Sequence, residues 1–262
     1  MFGLFHKLLS LKINFQFQAM LNMTLKTIFL KDVFGKAILD YQQENYSEDI
    51  ITATSISEDD VLPLPYLFRS FGEMPKLEQK ALQLAKGKIL DVGCGAGSHS
   101  LYLQEKGLDV KSIDISKRAI EACKLRGLNN AHQMNVFDET ETFDTILLLM
   151  NGSGVFGKLE ETPKNLNKLK SLLKRGGQIL IDSSDIKYMY EDDDGGFWID
   201  ANSDYYGELE YHVTYKGETE SFTWMYLDFE NLKTACMIAG LNCELILKGE
   251  HYDYLAKITV KN

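Results

Sequence analysis

The feature that most constrains this chain is a short apolar run, residues 88–92, that leads directly into Gly93-Cys94-Gly95-Ala96-Gly97 and then into a helix-forming stretch, residues 98–106. Glycine has no side chain and reaches positive φ, so a ligand can approach the backbone closely here. The first N–H groups of the following helix lack intrahelical partners and form a ready binding edge. A strand, a glycine turn and a helix in this order open an α/β sheet, in which ligands sit beyond the carboxyl ends of the strands.

The rest of the chain continues the alternation. Strands are expected at residues 108–113, 131–136, 143–150 and 178–182, with helices at 117–126 and 163–173 between them. The run Thr145-Ile146-Leu147-Leu148-Leu149 is apolar without interruption and suits a strand covered on both faces. Lys174-Arg175-Gly176-Gly177 reads as a helix stop. After Asp182 the period changes to two. Residues 207–215 and 218–226 alternate around Lys216-Gly217, which predicts an antiparallel hairpin. A helix at 229–239 and strands at 243–248 and 254–260 close the chain.

Dinucleotide binding is the obvious rival for a glycine turn of this type. Its fingerprint is G-x-G-x-x-G. Counted from Gly93, the third glycine belongs at position 98, which is Ser98; here it comes one residue early, at Gly97. The strand also ends in Asp91, and a carboxylate there suits a cationic ligand better than a pyrophosphate. A second acid, Asp114, ends the next strand 17 residues after Gly97 (114 − 97). An acid at about that distance is placed to accept hydrogen bonds from ribose hydroxyls. Taken alone, Asp114-Ile115-Ser116 is equally a helix cap.

With these residues in view, ILDVGCGAGSHSLYL and VKSIDIS resemble the cofactor motifs of S-adenosylmethionine-dependent methyltransferases with the Rossmann-like fold, and FDTILLLMNG and LLKRGGQILIDSS resemble that family's later strand motifs. The resemblance covers residues 87–262. It implies an α/β fold: a seven-stranded, mostly parallel sheet with helices on both faces and an antiparallel last strand. To this the chain adds an N-terminal helical cap and an inserted β-hairpin near 205–227.

S-adenosyl-L-methionine is the cofactor the resemblance implies. Carried over residue by residue, Gly93, Cys94, Gly95 and Gly97 surround its methionine part, with Asp91 near the amino group and His99 opening the helix behind. Asp114 holds the ribose hydroxyls, and Ile115 follows it. Asn135 and Val136 lie where the family reads adenine; the usual acid is replaced by Asn135, and Asp138 is the other candidate. Met150 ends the fourth strand beside the methyl group, and Asn151, Ser153, Asp182 and Ser183 are acceptor-pocket candidates, with Asp185 a further candidate base. Asn151-Gly-Ser-Gly stands where members that methylate adenine or glutamine carry an Asn/Asp-Pro-Pro-aromatic motif, which argues against that chemistry.

Upstream, residues 45–62 are acidic and rich in Ser and Thr and read as a loop. Three of the four prolines, Pro63, Pro65 and Pro75, follow. They predict an extended segment turning into a helix at 76–85. Its Arg69, flanked by Tyr66 and Phe68, is a candidate clamp for the methionyl carboxylate, because a guanidinium grips a carboxylate with two parallel hydrogen bonds.

Residues 1–22 contain Lys7 and Lys12 but no acid. They read as an amphipathic surface segment or a non-native extension ahead of Met23, where helical spacing begins at Leu25, Ile28, Phe29, Val33 and Phe34. A secretory leader and a membrane span both need longer apolar runs than this sequence holds. Residues 23–86 form the expected cap and 87–262 the cofactor-binding domain.

Lys plus Arg number 28 against 38 Asp plus Glu, a net charge of −10. A surface that tracks nucleic-acid phosphates needs clustered positive charge, so nucleic acid is not the expected partner. The four cysteines form no C-x-x-C pair and no zinc spacing, so no metal is expected and a reducing, cytoplasmic setting fits. The run Glu191-Asp192-Asp193-Asp194-Gly195-Gly196 lacks the spacing of a calcium loop and reads as a solvated acidic loop. The function expected is methyl transfer to a small-molecule acceptor, with no membrane partner. The alternatives are an RNA or protein methyltransferase and a non-catalytic binder of the same cofactor.

Overall fold

The computed structural model describes residues 31–192, 196 and 204–261. The expected extension at 1–22, the helical spacing from Met23 to Phe29, and Asp193, Asp194 and Gly195 of the acidic run lie outside the described residues. Contacts gather Val33–Asn262 into one compact unit.

In chain order its elements are α1 (Val33–Gln42), β1 (Ile50–Thr54), β2 (Ser57–Leu62), α2 (Leu64–Leu67), α3 (Lys76–Leu84), β3 (Lys88–Val92), α4 (Ser98–Glu105), β4 (Asp109–Asp114), α5 (Lys117–Leu125), β5 (Ala131–Gln133), β6 (Phe143–Leu148), α6 (Thr162–Ser171), β7 (Leu173–Ser184), β8 (Glu208–Tyr215), β9 (Glu218–Met225), α7 (Phe229–Ile238), β10 (Leu241–Lys248) and β11 (Asp253–Val260).

Seven strands form the central sheet in the order β10-β11-β7-β6-β3-β4-β5. From β7 to β5 neighbouring strands are parallel; β11 is antiparallel to both β7 and β10. The apolar run of β6 explains its central place. Ile146, Leu147 and Leu148 are all fully buried, Ile146 and Leu148 on the face covered by α6 and α7, Leu147 on the face covered by α3 and α4. Chain order reverses at β3, which has β4 on one side and β6 on the other. That reversal opens a crevice at the carboxyl ends of the strands.

A second, four-stranded sheet has the order β2-β1-β8-β9. The expected hairpin is β8–β9, closed by Lys216 and Gly217, both at positive φ as a two-residue turn requires. Its partner strands correct the reading of residues 45–62 as a loop. Ile50, Ile51, Thr52 and Thr54 are β-branched and pair with Thr214, Val213 and Tyr211 of β8 or with β2. β2 carries Glu58, Asp59 and Asp60, all exposed on the sheet edge. Charge on an edge strand discourages pairing with other chains, and the same charges hide the strand in the sequence. Residues 31–86 therefore hold three helices and a β-hairpin rather than helices alone. The inner face of this sheet, Ile50, Val213 and Tyr215, packs on Val33, Ala37 and Ile38 of α1.

The proline-rich stretch is also not extended. Pro63 and Pro65 pre-set the first turn of α2, and a 3₁₀ turn follows at Phe71–Glu73. Leu64 N–H is capped by Asp49 Oδ1 at 2.8 Å.

Candidate functional site

The glycine turn sits at the carboxyl end of β3, at the crevice. Its N–H groups are largely spent on protein carbonyls: Gly93 and Cys94 donate to Ile113 O of β4 at 2.9 and 3.1 Å, and Gly97 donates to Cys94 O at 2.7 Å. Gly95 N–H donates to Asp114 Oδ2 at 2.9 Å, while Asp114 Oδ1 accepts from Ser116 N at 2.8 Å. One carboxylate thus closes the turn before α5, whose N-cap is Ser116, and anchors the glycine turn.

The three glycines have different reasons to be glycine. All three have positive φ (69°, 51° and 83° for Gly93, Gly95 and Gly97). A Cβ on Gly93 or Gly95 meets no atom within 4 Å, so both face an open cradle. A Cβ on Gly97 lies 2.6 Å from Leu128 Cδ1 and 2.9 Å from Cys123 Sγ. Gly97 is therefore required by the packing of the turn on α5 and Leu128. Cys94 is likewise turned inward: it is buried, with its sulfur 3.9 Å from that of Cys123.

Beside the cradle lies a buried charged cluster. Asp91 is 1% exposed, and its Oδ2 accepts from Ser100 Oγ at 2.6 Å. Burial pushes its carboxyl up, against the opposing charge of His99. His99 is 7% exposed and binds Glu78 Oε2 through Nε2 at 2.6 Å. Burial alone depresses the imidazole, but Glu78 and Asp91 more than offset this and raise it above its ordinary value. Burial pushes Glu78 up, yet His99 and Arg69 hold it below the usual carboxylate range.

Arg69 grips Glu78 with one guanidinium nitrogen, donates to Tyr66 O with another, and stacks 4.0 Å from the centre of the Tyr66 ring. Among the described residues the carboxylate partner of Arg69 is Glu78, while its Nε is buried without a hydrogen-bond partner. Glu78 was not singled out by the sequence reading. Its signal is a carboxylate on the apolar face of α3, beside Leu77, Ala81 and Leu82. The proline-rich segment is strapped to the glycine turn by Ser98 Oγ, which donates to Leu67 O at 2.8 Å, and by Arg126, which donates to Ala96 O and Phe68 O.

On the β4 and β5 side, Ile115 is 57% exposed next to Asp114. Asn135 is exposed and caps a 3₁₀ turn by accepting from Phe137 N at 3.0 Å, Val136 is buried in the core, and Asp138 is exposed.

At the end of β6, Met150 and Asn151 are consecutive left-handed residues with φ of 64° and 57°. Asp182 holds this turn: its carboxylate accepts from Met150 N at 3.0 Å and Gly152 N at 3.2 Å. Burial nevertheless pushes Asp182 up to about 6. Asn151 Oδ1 accepts from Ser184 Oγ at 3.1 Å. Trp224 closes over Gly154, where a Cβ would stand 2.0 Å from the indole, and joins Tyr211 and Phe222 in an aromatic cluster.

Two of the acceptor-pocket candidates are corrected. Ser153 and Ser183 are 0% and 1% exposed. Ser153 donates to Met225 O at 2.9 Å, Ser183 lies 2.6 Å from Ser153 Oγ, and Leu227 N donates to Ser183 at 2.9 Å. Their hydroxyls fasten the end of β9 to the central sheet. Asp185 accepts from Tyr206 OH at 2.8 Å. Among the described residues no group of three His, Cys, Asp or Glu could hold a metal ion, and no helix is long and apolar enough to cross a membrane.

Comparisons with known proteins agree with this geometry. The sequence profile of the methyltransferase domain family matches residues 84–233. A solved SAM-dependent methyltransferase from Bacteroides fragilis, in complex with S-adenosyl-L-homocysteine, is 46% identical with a TM-score of 0.82, over 88% of this chain and 95% of that one. An uncharacterized methyltransferase of Staphylococcus carnosus is 29% identical over 179 residues, 67% of this chain and 79% of that protein. A ubiquinone biosynthesis O-methyltransferase of Xanthomonas oryzae is 27% identical over 112 residues, 38% of this chain and 44% of that protein.

Proposed function

The chain belongs to the S-adenosylmethionine-dependent methyltransferase family, and from that premise we propose that its methyl acceptor is a small molecule and that the residues around the β3 crevice divide into a cofactor side and an acceptor side. The observation that carries the reading is the Gly95–Asp114 hydrogen bond at the edge of a cradle open at Gly93 and Gly95.

When bound, the cofactor supplies a methyl group on a positively charged sulfur. Asp114 is fixed by Gly95 and Ser116 and offers carboxylate lone pairs to the ribose hydroxyls. Ile115 gives an exposed apolar surface for the adenine face, and Asn135 and the backbone at Val136 serve its edge. Gly93 and Gly95 admit the methionine part, with Asp91 beside its amino group. The buried, unpartnered Nε–H of Arg69 suits the methionyl carboxylate, with Tyr66 covering it. His99 acts through Glu78, holding the strap in place.

The acceptor side runs from Met150 and Asn151 to Asp182, under the aromatic cluster of Tyr211, Phe222 and Trp224. Proximity and alignment supply most of the acceleration in a displacement of this type, so the turn that holds Met150 and Asn151 matters more than any single acid or base. A small acceptor is supported by the net charge of −10 and by Trp224 of the second sheet, which lies over Gly154 beside the Met150–Asn151 turn. The cytoplasm is the proposed setting, supported by four free thiols.

Calorimetry with S-adenosylhomocysteine and with NAD tests the cofactor side: tight binding of the first and none of the second is expected. Screening a metabolite library for acceptor-dependent release of S-adenosylhomocysteine tests the acceptor class. A response only to RNA or protein overturns the small-molecule reading.

A further inference from the structure

Asp182 is 7% exposed, yet the described residues give it no ion pair. The other buried carboxylate of the cluster that stays ionised, Glu78, has Arg69 and His99. Among the described residues Asp182 has two backbone N–H groups, those of Met150 and Gly152. A buried carboxylate held by dipoles without a cation is costly to keep charged, and burial pushes it up to about 6.

Its position says which cation fits. Residues two apart on a strand share a face. Ile89, Leu147, Leu180 and Leu255 form one apolar cluster under α3 and α4. Asp91 is two residues beyond Ile89, and Asp182 is two beyond Leu180 and opposite Leu255. Both acids therefore stand at the carboxyl ends of the same sheet face, with only β6 and its Met150–Asn151 turn between their strands.

We propose that the carboxylate of Asp182 is the counter-charge to the sulfonium of bound S-adenosylmethionine. This rests on the methyltransferase reading. The cofactor and its product differ by one methyl group and one positive charge, so a carboxylate facing the sulfonium favours the methylated form over the demethylated one. Asp182 thereby weakens the hold on the product once the charge has left the sulfur.

Other titrating groups face the same space. Glu78 from α3 is held low and stays ionised above pH 5, and Tyr66 from α2 is raised and stays neutral; Tyr254 of β11, also raised, lies on the other face of the sheet and donates to Leu227 O. His99 from α4 and Asp91 from β3 are both raised, so an Asp182→Asn variant, which keeps both, is the needed control.

The test is the ratio of dissociation constants, S-adenosylhomocysteine over S-adenosylmethionine, measured by calorimetry from pH 5 to pH 7. If the sulfonium lowers the Asp182 titration by about one unit, linkage predicts a roughly fivefold rise in that ratio in the wild type. The ratio stays flat in Asp182→Asn. A rise of equal size in the variant, or no rise in the wild type, overturns the proposal while leaving the methyltransferase reading intact. Failure of both ligands to bind overturns that reading itself. Should Asp182→Asn not fold, carboxyl ¹³C titration of wild-type Asp182 decides: a midpoint about one unit lower with S-adenosylmethionine than with S-adenosylhomocysteine supports the proposal, and equal midpoints overturn it.

Discussion

Gly95 N–H donates to Asp114 Oδ2 at 2.9 Å, joining the turn after β3 to the end of β4. The bond holds the glycine turn against the acid proposed to receive the ribose, so one contact ties together the two halves of the proposed cofactor side. Without the carboxylate, a turn with φ of 51° at its centre loses a charged acceptor.

Asp114→Ala is therefore expected to weaken S-adenosylhomocysteine binding more than tenfold, since a hydrogen bond to a charged group contributes ~1.5–3 kcal/mol. Asp114→Asn keeps an acceptor oxygen and is expected to fall between. Calorimetry on the three proteins checks this; equal affinity of Asp114→Ala and the wild type refutes the ribose assignment.

Gly95→Ala and Gly97→Ala are expected to fail differently. At Gly97 the added Cβ strikes Leu128 and Cys123. Overpacking of that kind costs ~1–3 kcal/mol, beyond the ~1–2 kcal/mol of a left-handed backbone. At Gly95 only the backbone strain applies, because no protein atom is near. Thermal melts should place Gly97→Ala well below Gly95→Ala, while calorimetry should show the larger fractional loss of S-adenosylhomocysteine affinity in Gly95→Ala.

These two glycines also show what a sequence makes legible. The turn, Asp91 and Asp114 are close in the chain or at a fixed spacing, so local rules reach them. The central sheet is legible for the same reason, since β6 announces itself by an unbroken apolar run. Gly97 looks like its neighbours until Leu128, brought in by the end of α5, is seen against it. β2 is hidden because an edge strand tolerates charge on most positions. Glu78 is hidden because its partners, Arg69 and His99, stand 9 and 21 residues away. Ser153 and Ser183 sit in an acceptor-like place in the sequence and turn out to hold β9.

Ser183→Ala is expected to lower stability by ~1–3 kcal/mol, because Leu227 N–H loses its buried acceptor and Ser153 loses a neighbour. S-adenosylhomocysteine affinity should stay within twofold of the wild type. Denaturant melts and calorimetry check the two halves. A large affinity loss with unchanged stability restores Ser183 to the binding site.

Glu78→Gln tests the strap through its pH dependence. Glu78 sits below its ordinary value in the fold, so its contribution is complete above about pH 4.5 and is lost as pH falls through the lowered value. His99 sits above its ordinary value, so its contribution is complete below about pH 6.5 and is lost as pH rises through the raised value. The pair therefore stabilises most between those limits. Removing one partner of a buried ion pair costs about 3 kcal/mol or more. The stability gap between the wild type and Glu78→Gln should be widest near pH 5–6.5, and it should narrow on both sides. The Arg69–Glu78 ion pair is a second contribution, so part of the gap persists at every pH where Glu78 is ionised. Melting temperatures of both proteins from pH 4 to pH 9 measure the gap. A gap that does not narrow as pH rises above about 6.5 removes His99 from the cluster's energetics and leaves Arg69 as the partner of Glu78 that counts.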